Sequence, residues 1–582
     1  MKKFSCDFET TTDINDCRVW AFACCEIGDV DNFIYGNSLD DFMDWCANKR
    51  KNYTCYFHNL KFDGSFIIDW LLKHGFEYVT DKKDRKDKSF NALITDTGVF
   101  YQITVWFHIQ GHHTNKVIFQ DSLKILNFSV DAIAKGFNLP IRKLTIDYTA
   151  KREIGHELTP EEIDYIRNDV EIISRALDIM FQQGLNKMTI ASDALHYYKT
   201  TCPRFKYYFP ALKPEIDDEI RLSYKGGFTY CSPVHAGEIV GEGMVFDVNS
   251  LYPSRMKYEL MPYGEPVMFQ GKYKYDPIYP LYMQRITCSF KVKPKKLPTI
   301  QLKHCMSFMP NEYIEDSKGE LVTMSLTNPD LDLFFEHYDV EDLTFDGGFK
   351  FKGMRGLFND YIDHWTEEKI KAKKENNAPQ YLISKLLLNS LYGKFGARLV
   401  GRKKIPILIG DDVHYITGER ETKSGVYLPI ASWVTSYARK YTIETGQKIR
   451  NFTLKEFGYD AVCYFDTDSV HINFDKTKID LLKNIINIDD YELGAWKHES
   501  SFKRAKFLRQ KCYIEEDYDG KINVTIAGLP KRLGHLINFE NFKEGFTTEA
   551  YSNEQIGEGG RKLRYKHVDG GVVLVETDFT IK

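Results

Sequence analysis

Two aspartates one residue apart, Asp466 and Asp468, have the type and spacing of residues that bind divalent metal ions. Apolar residues on both sides predict a β-hairpin whose tip carries the acids, and alternate side chains of a strand point the same way. Like charges at this separation need a cation, because both cannot stay ionised unaided. Mg²⁺ takes carboxylate oxygens and keeps positions free for phosphate. The pair therefore indicates a magnesium site, and an Asp-rich turn without a ligand is the alternative.

A third acid, Asp247, lies in an apolar stretch that predicts a strand, and a turn into a helix follows it. Nucleotidyl transfer needs carboxylates from separate strands to hold two ions, one at the primer hydroxyl and one at the triphosphate. Backbone N–H groups in the turn could bind phosphate oxygens. Tyr252, in the predicted helix, is expected to lie under the sugar of the nucleotide.

Two basic helices are predicted on either side of a break at residues 376–379. Lys369 lies on the first helix, and the spacing of Lys385, Asn389 and Tyr392 puts all three on one face of the second. Two lysines on opposed helices could neutralise a triphosphate without covalent chemistry. An amphipathic helix pair with a solvated lysine edge is the alternative.

A double glycine, Gly226 and Gly227, follows Tyr224 in the sequence. Because glycine has no side chain, the backbone at these positions could approach phosphate closely, and Tyr224 could contact a template strand. An ordinary glycine turn is the alternative interpretation.

A separate set of acids begins near the N-terminus. The alternation of residues around Asp7 and Glu9 predicts a strand with both acids on one face. Asp63 follows a second short strand, at residues 53–57, and precedes an apolar helix that is predicted at residues 66–72. Taken singly, each of these acids is typical of a surface carboxylate.

The fourth acid of this set, Asp169, lies in a predicted helix that begins near residues 159–162, where Thr, Pro and two acids form a good N-terminus. The i, i+4 spacing puts Tyr165 on the same helical face. Four carboxylates with a phenol meet the requirements of two-metal phosphodiester hydrolysis. One ion would generate hydroxide, the other would stabilise the leaving oxygen, and Tyr165 could orient the attacking water.

In order and in kind, these residues resemble the proofreading 3′–5′ exonucleases of the ribonuclease-H-like superfamily. Lys143 could neutralise the scissile phosphate. The residues expected to hold a frayed single strand around this site are Thr10, Tyr56, His58, Asn59, Phe62, Ser122, Leu123 and Tyr148. For Tyr56 and Phe62, a role in the hydrophobic core is the alternative.

The composition is that of a globular protein, with 43% hydrophobic and 27% charged residues. No apolar run is long enough to span a membrane, and Asp7 and Glu9 interrupt what would have to be a signal-peptide core, so export is not expected. The twelve cysteines form no C-x-x-C pair and indicate reduced, space-filling residues rather than a disulfide or zinc framework.

The net charge of −4 means that any surface for nucleic acid must be local. Taken singly, each basic run is typical of a solvated face. These runs are residues 82–88, 291–296, 369–374, 402–404 and 503–511.

Four motifs resemble those of the family B DNA polymerases, in the same order along the chain. They are D-x-N-S-L-Y-P at residues 247–253, K-L-L-L-N-S-L-Y-G at 385–393, Y-F-D-T-D-S at 464–469 and K-C-Y at 511–513. Together with the exonuclease acids they extend from end to end of the chain. Within the family, the sequence is most similar to the phi-twenty-nine-like, protein-primed replicases of tailed bacteriophages.

The resemblance implies an α/β multidomain fold, with a ribonuclease-H-like exonuclease domain at residues 1–188 and a right-hand polymerase domain at residues 189–582. The expected parts of the polymerase domain are the palm at 189–258 and 427–531, a first insertion at 259–356, the fingers at 357–396, a second insertion at 397–426 and the thumb at 532–582. Relative to the family pattern, the stretch between Lys369 and Lys385 is longer than expected.

The resemblance also assigns roles within the polymerase domain. Thr435, Arg439, Lys511 and Tyr513 are expected to hold the primer end, and Tyr252 to exclude the ribose 2′-hydroxyl. The expected metal ligands are Asp247, Val248 and Asp468 at the polymerase site, with Asp466 in support, and Asp7, Glu9, Asp63 and Asp169 at the exonuclease site. Each site would take two Mg²⁺ ions, with Mn²⁺ able to substitute.

The implied function is a DNA-directed DNA polymerase with an intrinsic 3′–5′ exonuclease that replicates a linear viral genome by protein priming and strand displacement. The expected partners are primer-template DNA, the displaced single strand, dNTPs, a terminal protein that supplies the priming hydroxyl, and a single-stranded DNA-binding protein. A monomer in the cytoplasm of an infected bacterium is expected, without a membrane partner.

Two other classes of function remain open. One is a nuclease with a degenerate C-terminal half, against which Asp247, Asp468 and Lys385 argue. The other is a noncatalytic replication scaffold, which would not need two complete sets of acids.

Overall fold

One mixed sheet organises the N-terminal part of the protein. The computed structural model describes residues 1–48, 51–110, 113–148, 150–301, 313–422, 426–557 and 559–582. The strands of this part are β1 (Lys2–Thr10), β2 (Val19–Glu26), β3 (Asp29–Gly36), β4 (Tyr53–Phe57), β5 (Glu77–Tyr78), β6 (Ser89–Ile94), β7 (Phe100–Gln110) and β8 (His113–Asp121), and the helices are α1 (Leu39–Cys46), α2 (Leu60–Lys73), α3 (Val130–Gly136) and α4 (Pro160–Gln182).

The strand order of this sheet is β3-β2-β1-β4-β8-β7-β6-β5. Strands β1, β4 and β8 are parallel neighbours, so their carboxyl ends meet at the same edge. Strand β4 is buried at every residue, as expected for the centre of a sheet covered on both faces. Phe42, Phe57 and Phe66 fill the core on the side of α1 and α2. On the other side, Ile166 of α4 packs against Ala21 of β2.

The predicted start of α4 is confirmed. The Thr159 hydroxyl accepts a hydrogen bond from Glu162 N at 3.2 Å, and Glu162 Oε2 accepts one from Thr159 N at 3.0 Å. The predicted start of the helix at residues 66–72 is wrong, because α2 begins at Leu60. Asn59 has a φ of 85°, which turns the chain from β4 directly into the helix. Asp63 therefore lies in the first turn of α2 rather than before the helix.

The middle of the chain joins three helices to the first strands of the palm and to a separate antiparallel sheet. The elements are α5 (Ile190–Thr201), α6 (Phe205–Tyr208), α7 (Pro214–Arg221), β9 (Thr229–Cys231), β10 (Ile239–Val240), β11 (Gly243–Val248), α8 (Leu251–Tyr258), β12 (Met261–Gln270), β13 (Leu281–Val292), β14 (Val322–Thr327), α9 (Asn328–His337) and β15 (Tyr338–Met354). The separate sheet has the order β12-β15-β13-β14. Parts of the two predicted insertions, residues 302–312 and 423–425, lie outside the described residues.

The remaining elements include the predicted helix pair and the rest of the palm. They are α10 (Asn359–Lys374), α11 (Ala378–Phe395), β16 (Val400–Gly401), β17 (Lys404–Ile409), β18 (Asp412–Thr417), β19 (Glu421–Thr422), α12 (Leu428–Glu456), β20 (Val462–Asp466), β21 (Ser469–Ile472), α13 (Ile479–Lys483), β22 (Trp496–Phe502), β23 (Arg504–Arg509), β24 (Cys512–Glu516), β25 (Ile522–Ile526), α14 (Asn553–Ile556), β26 (Lys562–Val568) and β27 (Gly571–Thr577). Helices α10 and α11 confirm the helix pair and its break.

The palm sheet has the order β22-β11-β21-β20-β9. Strands β20 and β21 form the predicted hairpin, and β21 also pairs with β11, so the hairpin and the Asp247 strand are neighbours. Val470 and Ile472 of β21 face a core shared with α12. Cys463 and Tyr464 of β20 belong to a core that also contains Phe507 of β23, which lies in the sheet β10-β23-β24-β25.

The C-terminal hairpin of β26 and β27 returns to the N-terminal sheet. Val572 of β27 is part of the core around α2. A Cβ atom on Gly571 would lie 2.4 Å from Cδ1 of Phe66, so this glycine permits the close approach. Among the residues that the structure describes, no helix combines the length and the apolar character needed to cross a membrane.

Candidate active sites

The first candidate site is a cluster of acids where β1, α2 and α4 meet. Single carboxylate oxygens of Asp7, Glu9 and Asp169 lie within 4.8 Å of one another. Asp63 approaches from α2, and its Oδ1 accepts a hydrogen bond from Phe8 N at 3.3 Å. The structure thus brings together all four acids predicted for the exonuclease site.

The cluster carries more negative charge than its surroundings can solvate. Burial and the neighbouring Asp169 raise the pKa of Asp7 to about 7. Burial, followed by Asp7, raises the pKa of Glu9 and of Asp63 well above their usual values. Oδ1 of Asp169 is buried without a hydrogen-bond partner among the described residues. An orphaned carboxylate oxygen among like charges is a donor set that suits a divalent cation.

Polar side chains from the loop before α4 and from α4 itself line this cluster. Lys143 forms an ion pair with Asp169. Burial alone would lower the pKa of Lys143, but this contact raises it. The hydroxyls of Tyr148 and Tyr165 are 2.8 Å apart. Burial raises the pKa of Asp169, and the neighbouring Lys143 and Tyr165 act against this effect. The predicted i, i+4 pair on α4 therefore does share one face.

Several residues predicted to contact a single strand lie beside the cluster. His58 uses both ring nitrogens, with Nδ1 3.1 Å from Ser122 Oγ and Nε2 2.7 Å from Phe128 O. Asn59 donates to the Tyr565 hydroxyl at 2.9 Å, which links this edge to the C-terminal hairpin. Thr10, Phe62 and Leu123 are partly exposed.

Two predicted contact residues, Tyr56 and Ser122, are buried, and their direct contact with DNA stays a prediction. Tyr56 is 3% exposed, because β4 is a central strand and its ring packs toward Phe181 of α4. Ser122 is fully buried, and its hydroxyl donates to Phe57 O at 3.0 Å. Their side chains form part of the scaffold beneath the site.

The second candidate site is a cleft of about 520 Å³ above the palm sheet, which Asp247, Val248 and Asp468 help to line. Val248 N donates to Asp468 O at 2.8 Å, which fixes β11 against the hairpin tip. Burial, then Asp468, raises the pKa of Asp247 to about 7. Burial also raises the pKa of Asp468. These two half-buried acids, one on β11 and one in the turn of the neighbouring hairpin, are again a donor set that suits a divalent cation.

The two acids of the hairpin have different surroundings. Asp466 ends β20 and accepts from Lys511 Nζ through both oxygens, at 2.6 and 2.8 Å. Asp468 lies in the turn, after Thr467 with a φ of 65°. Because this turn interrupts the strand, the prediction that the two acids are alternate strand residues is wrong, although both line a second recess next to this cleft, which Asp247 also lines. Tyr513 lies beside them, 5.0 Å from the ring of Tyr464.

The double glycine packs directly against the hairpin tip. A Cβ on Gly227 would lie 2.5 Å from Cγ2 of Thr467, so only glycine allows this contact, whereas Gly226 faces open space. Thr467 N donates to Phe228 O at 2.8 Å. Tyr224 packs near the end of α11, where a Cβ on Gly396 would lie 2.6 Å from its hydroxyl.

Thr435 and Arg439, predicted to hold the primer end, have their polar groups hydrogen-bonded within the protein, and their direct contact with the primer stays a prediction. Arg439 is 3% exposed, pairs with both oxygens of Asp330, and donates to Lys225 O at 2.9 Å and Gly226 O at 2.6 Å. The hydroxyl of Thr435 is buried and donates to Ala431 O within α12. Both lie on the inner face of this long helix. Arg439 therefore positions the glycine loop from below.

The predicted nucleotide-binding residues converge on the opposite wall of the cleft. Lys369, Lys385 and Asn389 line it from α10 and α11, so the longer stretch between the two lysines does not separate them. Lys369 Nζ donates to Ser250 Oγ at 3.2 Å. Burial, followed by the nearby Lys385, lowers the pKa of Lys369.

Two tyrosines form the wall between the acids and the lysines. The ring centroids of Tyr252 and Tyr392 are 4.1 Å apart. Burial, then Tyr392, raises the pKa of Tyr252, so its hydroxyl stays protonated. Both rings line the cleft beside Asp247 and Asp468.

Several residues of the cleft carry no motif signal and were missed by sequence reasoning. Glu499 and Lys497 on β22 line the cleft, and Glu499 raises the pKa of Asp247 after burial and Asp468. Glu499 occupies a bulge, because Val245 pairs with Ser500 and the next residue of β11 pairs with His498. Such a register shift cannot be read from an isolated acid in a polar strand.

A second missed feature is a buried pair behind the hairpin. His471 Nδ1 lies 2.7 Å from Glu515 Oε1, and the imidazole is surrounded by the rings of Tyr464, Phe507 and Tyr513. The pair joins β21, which follows the acids, to β24, which follows Lys511. The alternation of apolar and polar residues predicts each of the two strands. The sequence does not show that they meet, because the contact between β21 and β24 is tertiary.

Comparisons with known proteins identify relatives along the whole chain. The family model for DNA polymerase type B, organellar and viral, matches residues 46–155 and 149–480. The DNA polymerase of Bacillus phage Nf is 43% identical, covering 100% of both chains. Two solved structures have TM-scores of 0.89, 41% identity and 100% coverage of both chains: Phi29 DNA polymerase complexed with single-stranded DNA, and the same enzyme with primer-template DNA and incoming nucleotide substrates. This similarity confirms the predicted fold class, an α/β protein with a ribonuclease-H-like exonuclease domain and a right-hand polymerase domain with two insertions.

Proposed function

The chain belongs to the DNA polymerases of type B from organelles and viruses, and from this premise we propose that it copies DNA at one metal site and trims 3′ ends at another. The family predicted from the four sequence motifs is thereby confirmed. DNA polymerase activity is the property shared with the full-length phage relatives. The 3′–5′ exonuclease and the two-metal mechanism at each site are the finer parts of the proposal.

The observation that carries the proposal is the presence of two separate acid clusters, one on the N-terminal sheet and one on the palm sheet. Asp7, Glu9 and Asp169 converge on one, and Asp247 and Asp468 line the other. Each cluster contains acids with raised pKa values, and such perturbed groups in a cleft favour a functional site. A single-function nuclease or a noncatalytic scaffold needs at most one of them.

At the palm cleft, Asp247 and Asp468 would bind Mg²⁺, with Mn²⁺ able to substitute and the Val248 backbone beside them. Two such ions supply positive charge to the primer hydroxyl and to the triphosphate. Lys385 and Lys369 would hold the triphosphate by charge. Tyr252 would contact the sugar and exclude a 2′-hydroxyl, and Asn389 would complete the nucleotide-binding wall.

The primer strand would lie over the hairpin tip. Lys511, which pairs with Asp466, and Tyr513 both line the recess that Asp466 and Asp468 share. Their proposed role is to position the primer end toward Asp247 and Asp468. The loop of Gly226 and Gly227, with Tyr224, would lie along the template, since its backbone is free of side-chain bulk on the open side.

At the N-terminal cluster, Asp7, Glu9, Asp63 and Asp169 would bind the ions that assist hydrolysis. Tyr165 would orient the attacking water through its hydroxyl. Lys143, now paired with Asp169, would neutralise the phosphate. The residues proposed to hold the single strand at its entrance are Thr10, His58, Asn59, Phe62, Leu123 and Tyr148.

The wider biological role is proposed from the family. The protein would replicate a linear phage genome in the cytoplasm of an infected bacterium, as a monomer primed by the hydroxyl of a terminal protein. It would displace the non-template strand, to which a single-stranded DNA-binding protein would bind. The relative Phi29 DNA polymerase has been solved with single-stranded DNA and with primer-template DNA and nucleotides, which supports DNA and dNTPs as ligands here.

Two variants test the proposal. Asp468→Asn should abolish nucleotide incorporation on a primed template but leave degradation of a single-stranded oligonucleotide intact. Asp7→Ala with Glu9→Ala should have the reverse effect. Asp490→Asn, an exposed acid of the palm, is the matched control and should change neither activity. Loss of both activities in both variants of folded protein, or loss of neither, would contradict two separate sites.

A further inference from the structure

An open groove of about 380 Å³ lies on the N-terminal sheet, away from both acid clusters. Its floor is one face of the β7–β8 ribbon, formed by Gln102, Thr104 and Trp106 of β7 and Lys116 of β8. The alternate residues of β7, such as Ile103, point into the opposite core against α2. The face that carries Gln102, Thr104, Trp106 and Lys116 is therefore the one turned away from α2.

The groove is lined by positive charge. Lys82 and Arg85, from the basic run at residues 82–88, form one wall, and Lys116 projects from the floor. In the described part of the chain, no carboxylate lines the groove. Burial lowers the pKa of Lys82, and the like charges of Lys116 and Lys403 lower it further. Positive charges that repel one another without a facing acid favour an anionic ligand.

The groove leads toward the N-terminal acid cluster. Strand β8 runs from Lys116 to Asp121, a distance of about 17 Å at the usual rise of a strand. Asp121 Oδ1 accepts from Asn59 N at 3.1 Å, at the edge where the predicted single-strand contacts begin. On the other side, Thr95 at the end of β6 bridges to Lys403, whose ammonium pairs with Glu421 at 2.6 Å.

We propose that this groove binds single-stranded DNA through its phosphates, as a binding site additional to the two acid clusters. Lys82, Arg85 and Lys116 would contact the phosphates, while Gln102 would supply an amide to the DNA backbone. Charged grooves that track the backbone are typical of sequence-independent binding to single strands. A rigid duplex would touch only the rim of so small a recess. The strand is either the template ahead of synthesis or the strand delivered for degradation, since both present the same chemistry.

The test is the salt dependence of DNA binding by the full-length protein, measured by fluorescence anisotropy in EDTA so that no DNA is degraded. The probes are a primer-template hairpin with a long 5′ overhang, the same hairpin without an overhang, and a single-stranded oligonucleotide. The slope of log affinity against log salt is about −0.7 for each phosphate of a single strand that is neutralised. Lys82→Ala with Lys116→Ala should therefore make the slope shallower by about 1.4 on a probe whose single strand occupies the groove.

A shallower slope only with the overhang assigns the groove to the template, and a shallower slope only with the oligonucleotide assigns it to the degraded strand; either supports the proposal. Lys2→Ala with Lys135→Ala removes the same charge outside the groove and should leave every slope unchanged, and Lys82→Arg with Lys116→Arg should restore the original slope. Unchanged slopes on both single-stranded probes, or an equal change with the control variant or the hairpin lacking an overhang, would overturn the proposal.

The proposal rests on the proposed polymerase and exonuclease functions only for the identity of the ligand. The groove variant is judged by its binding slopes in EDTA, a condition in which neither catalytic activity operates. If the proposal about the groove is wrong, the binding slopes will show it. If the catalytic assignments are wrong, the activities of the Asp468→Asn and Asp7→Ala/Glu9→Ala variants will show it.

Discussion

Replacement of Asp247 by asparagine should stabilise the metal-free protein, and this gain should increase with pH. Burial, Asp468 and Glu499 raise the pKa of Asp247 from 3.8 to about 7. The folded state then holds a proton that the unfolded chain has already released. Below the pKa of the unfolded state, the Asp247 carboxyl group does not lower the free energy of unfolding. As the pH rises through the folded pKa, the free energy of unfolding falls, because the buried group must then lose its proton.

The magnitude follows from the difference between the two pKa values. A difference of about three units corresponds to roughly 4 kcal/mol of lost stability at about pH 8, of which roughly a third is already lost at about pH 5. Asparagine keeps the shape of the side chain and does not titrate. The variant should therefore be more stable than the wild type by a margin of up to this size at the higher pH and by a smaller margin at the lower pH.

The assay is differential scanning calorimetry of both proteins in EDTA at the two pH values. Asp490→Asn is the control for removing an exposed acid of the palm and should give no pH-dependent gain. Mg²⁺ should then stabilise the wild type more than the Asp247→Asn variant, because a bound ion stabilises only the state that binds it. The reasoning is refuted if the Asp247→Asn variant is less stable than the wild type at the higher pH, or if its gain is the same at both pH values.

Three further predictions concern side chains around the palm cleft. Arg439→Met should lower the free energy of unfolding in urea by about 3–5 kcal/mol, because it leaves Asp330 charged and buried. Adding Asp330→Leu should recover most of this loss, and a loss below about 1 kcal/mol for Arg439→Met alone would contradict the prediction. Gly227→Ala should lower the catalytic efficiency of nucleotide incorporation by displacing Thr467, while degradation of single strands continues; an equal loss of both activities would point to a general folding defect instead. Tyr252→Val should admit ribonucleotides, measured as the ratio of ribonucleotide to deoxyribonucleotide incorporation, and an unchanged ratio would refute its role at the sugar.

The local elements of both candidate sites could be predicted because their signals are short-range. The β20–β21 hairpin follows from apolar runs around two acids, and the start of α4 follows from the Thr159 and Glu162 capping box. The spacing of Asp7 and Glu9 on one strand, and of Tyr165 and Asp169 on one helix, correctly puts each pair on a common face. These relations depend only on the geometry of regular backbone.

Burial could not be predicted in the same way, because it depends on what packs from elsewhere in the chain. Tyr56 and Ser122 have side chains suited to DNA, yet both are enclosed: Tyr56 lies on the central, covered strand β4, and Ser122 lies in the turn after β8. Arg439 has the charge to bind a primer phosphate, but Asp330 of α9, distant in sequence, captures it. The sequence contains no local signal that distinguishes a captured arginine from a free one.

Pairing between distant strands explains the remaining omissions. Glu499 enters the palm cleft through a bulge in β22, and His471 meets Glu515 across two sheets. The division of the chain at residue 188 and within the polymerase domain remains a prediction. The charges at residues 82–88 are visible in the sequence, but the groove becomes recognisable only when Lys82 and Lys116 are seen to face the same recess.

The most direct test of two separate metal sites is a crystal of the protein soaked in Mn²⁺ and measured for anomalous scattering. Peaks are expected at two places, one among Asp7, Glu9 and Asp169 and one between Asp247 and Asp468. A peak at only one of these places in wild-type crystals, or side chains of Asp247 and Asp468 that lie too far apart to share an ion, would contradict the proposal that synthesis and degradation each use their own bound ions.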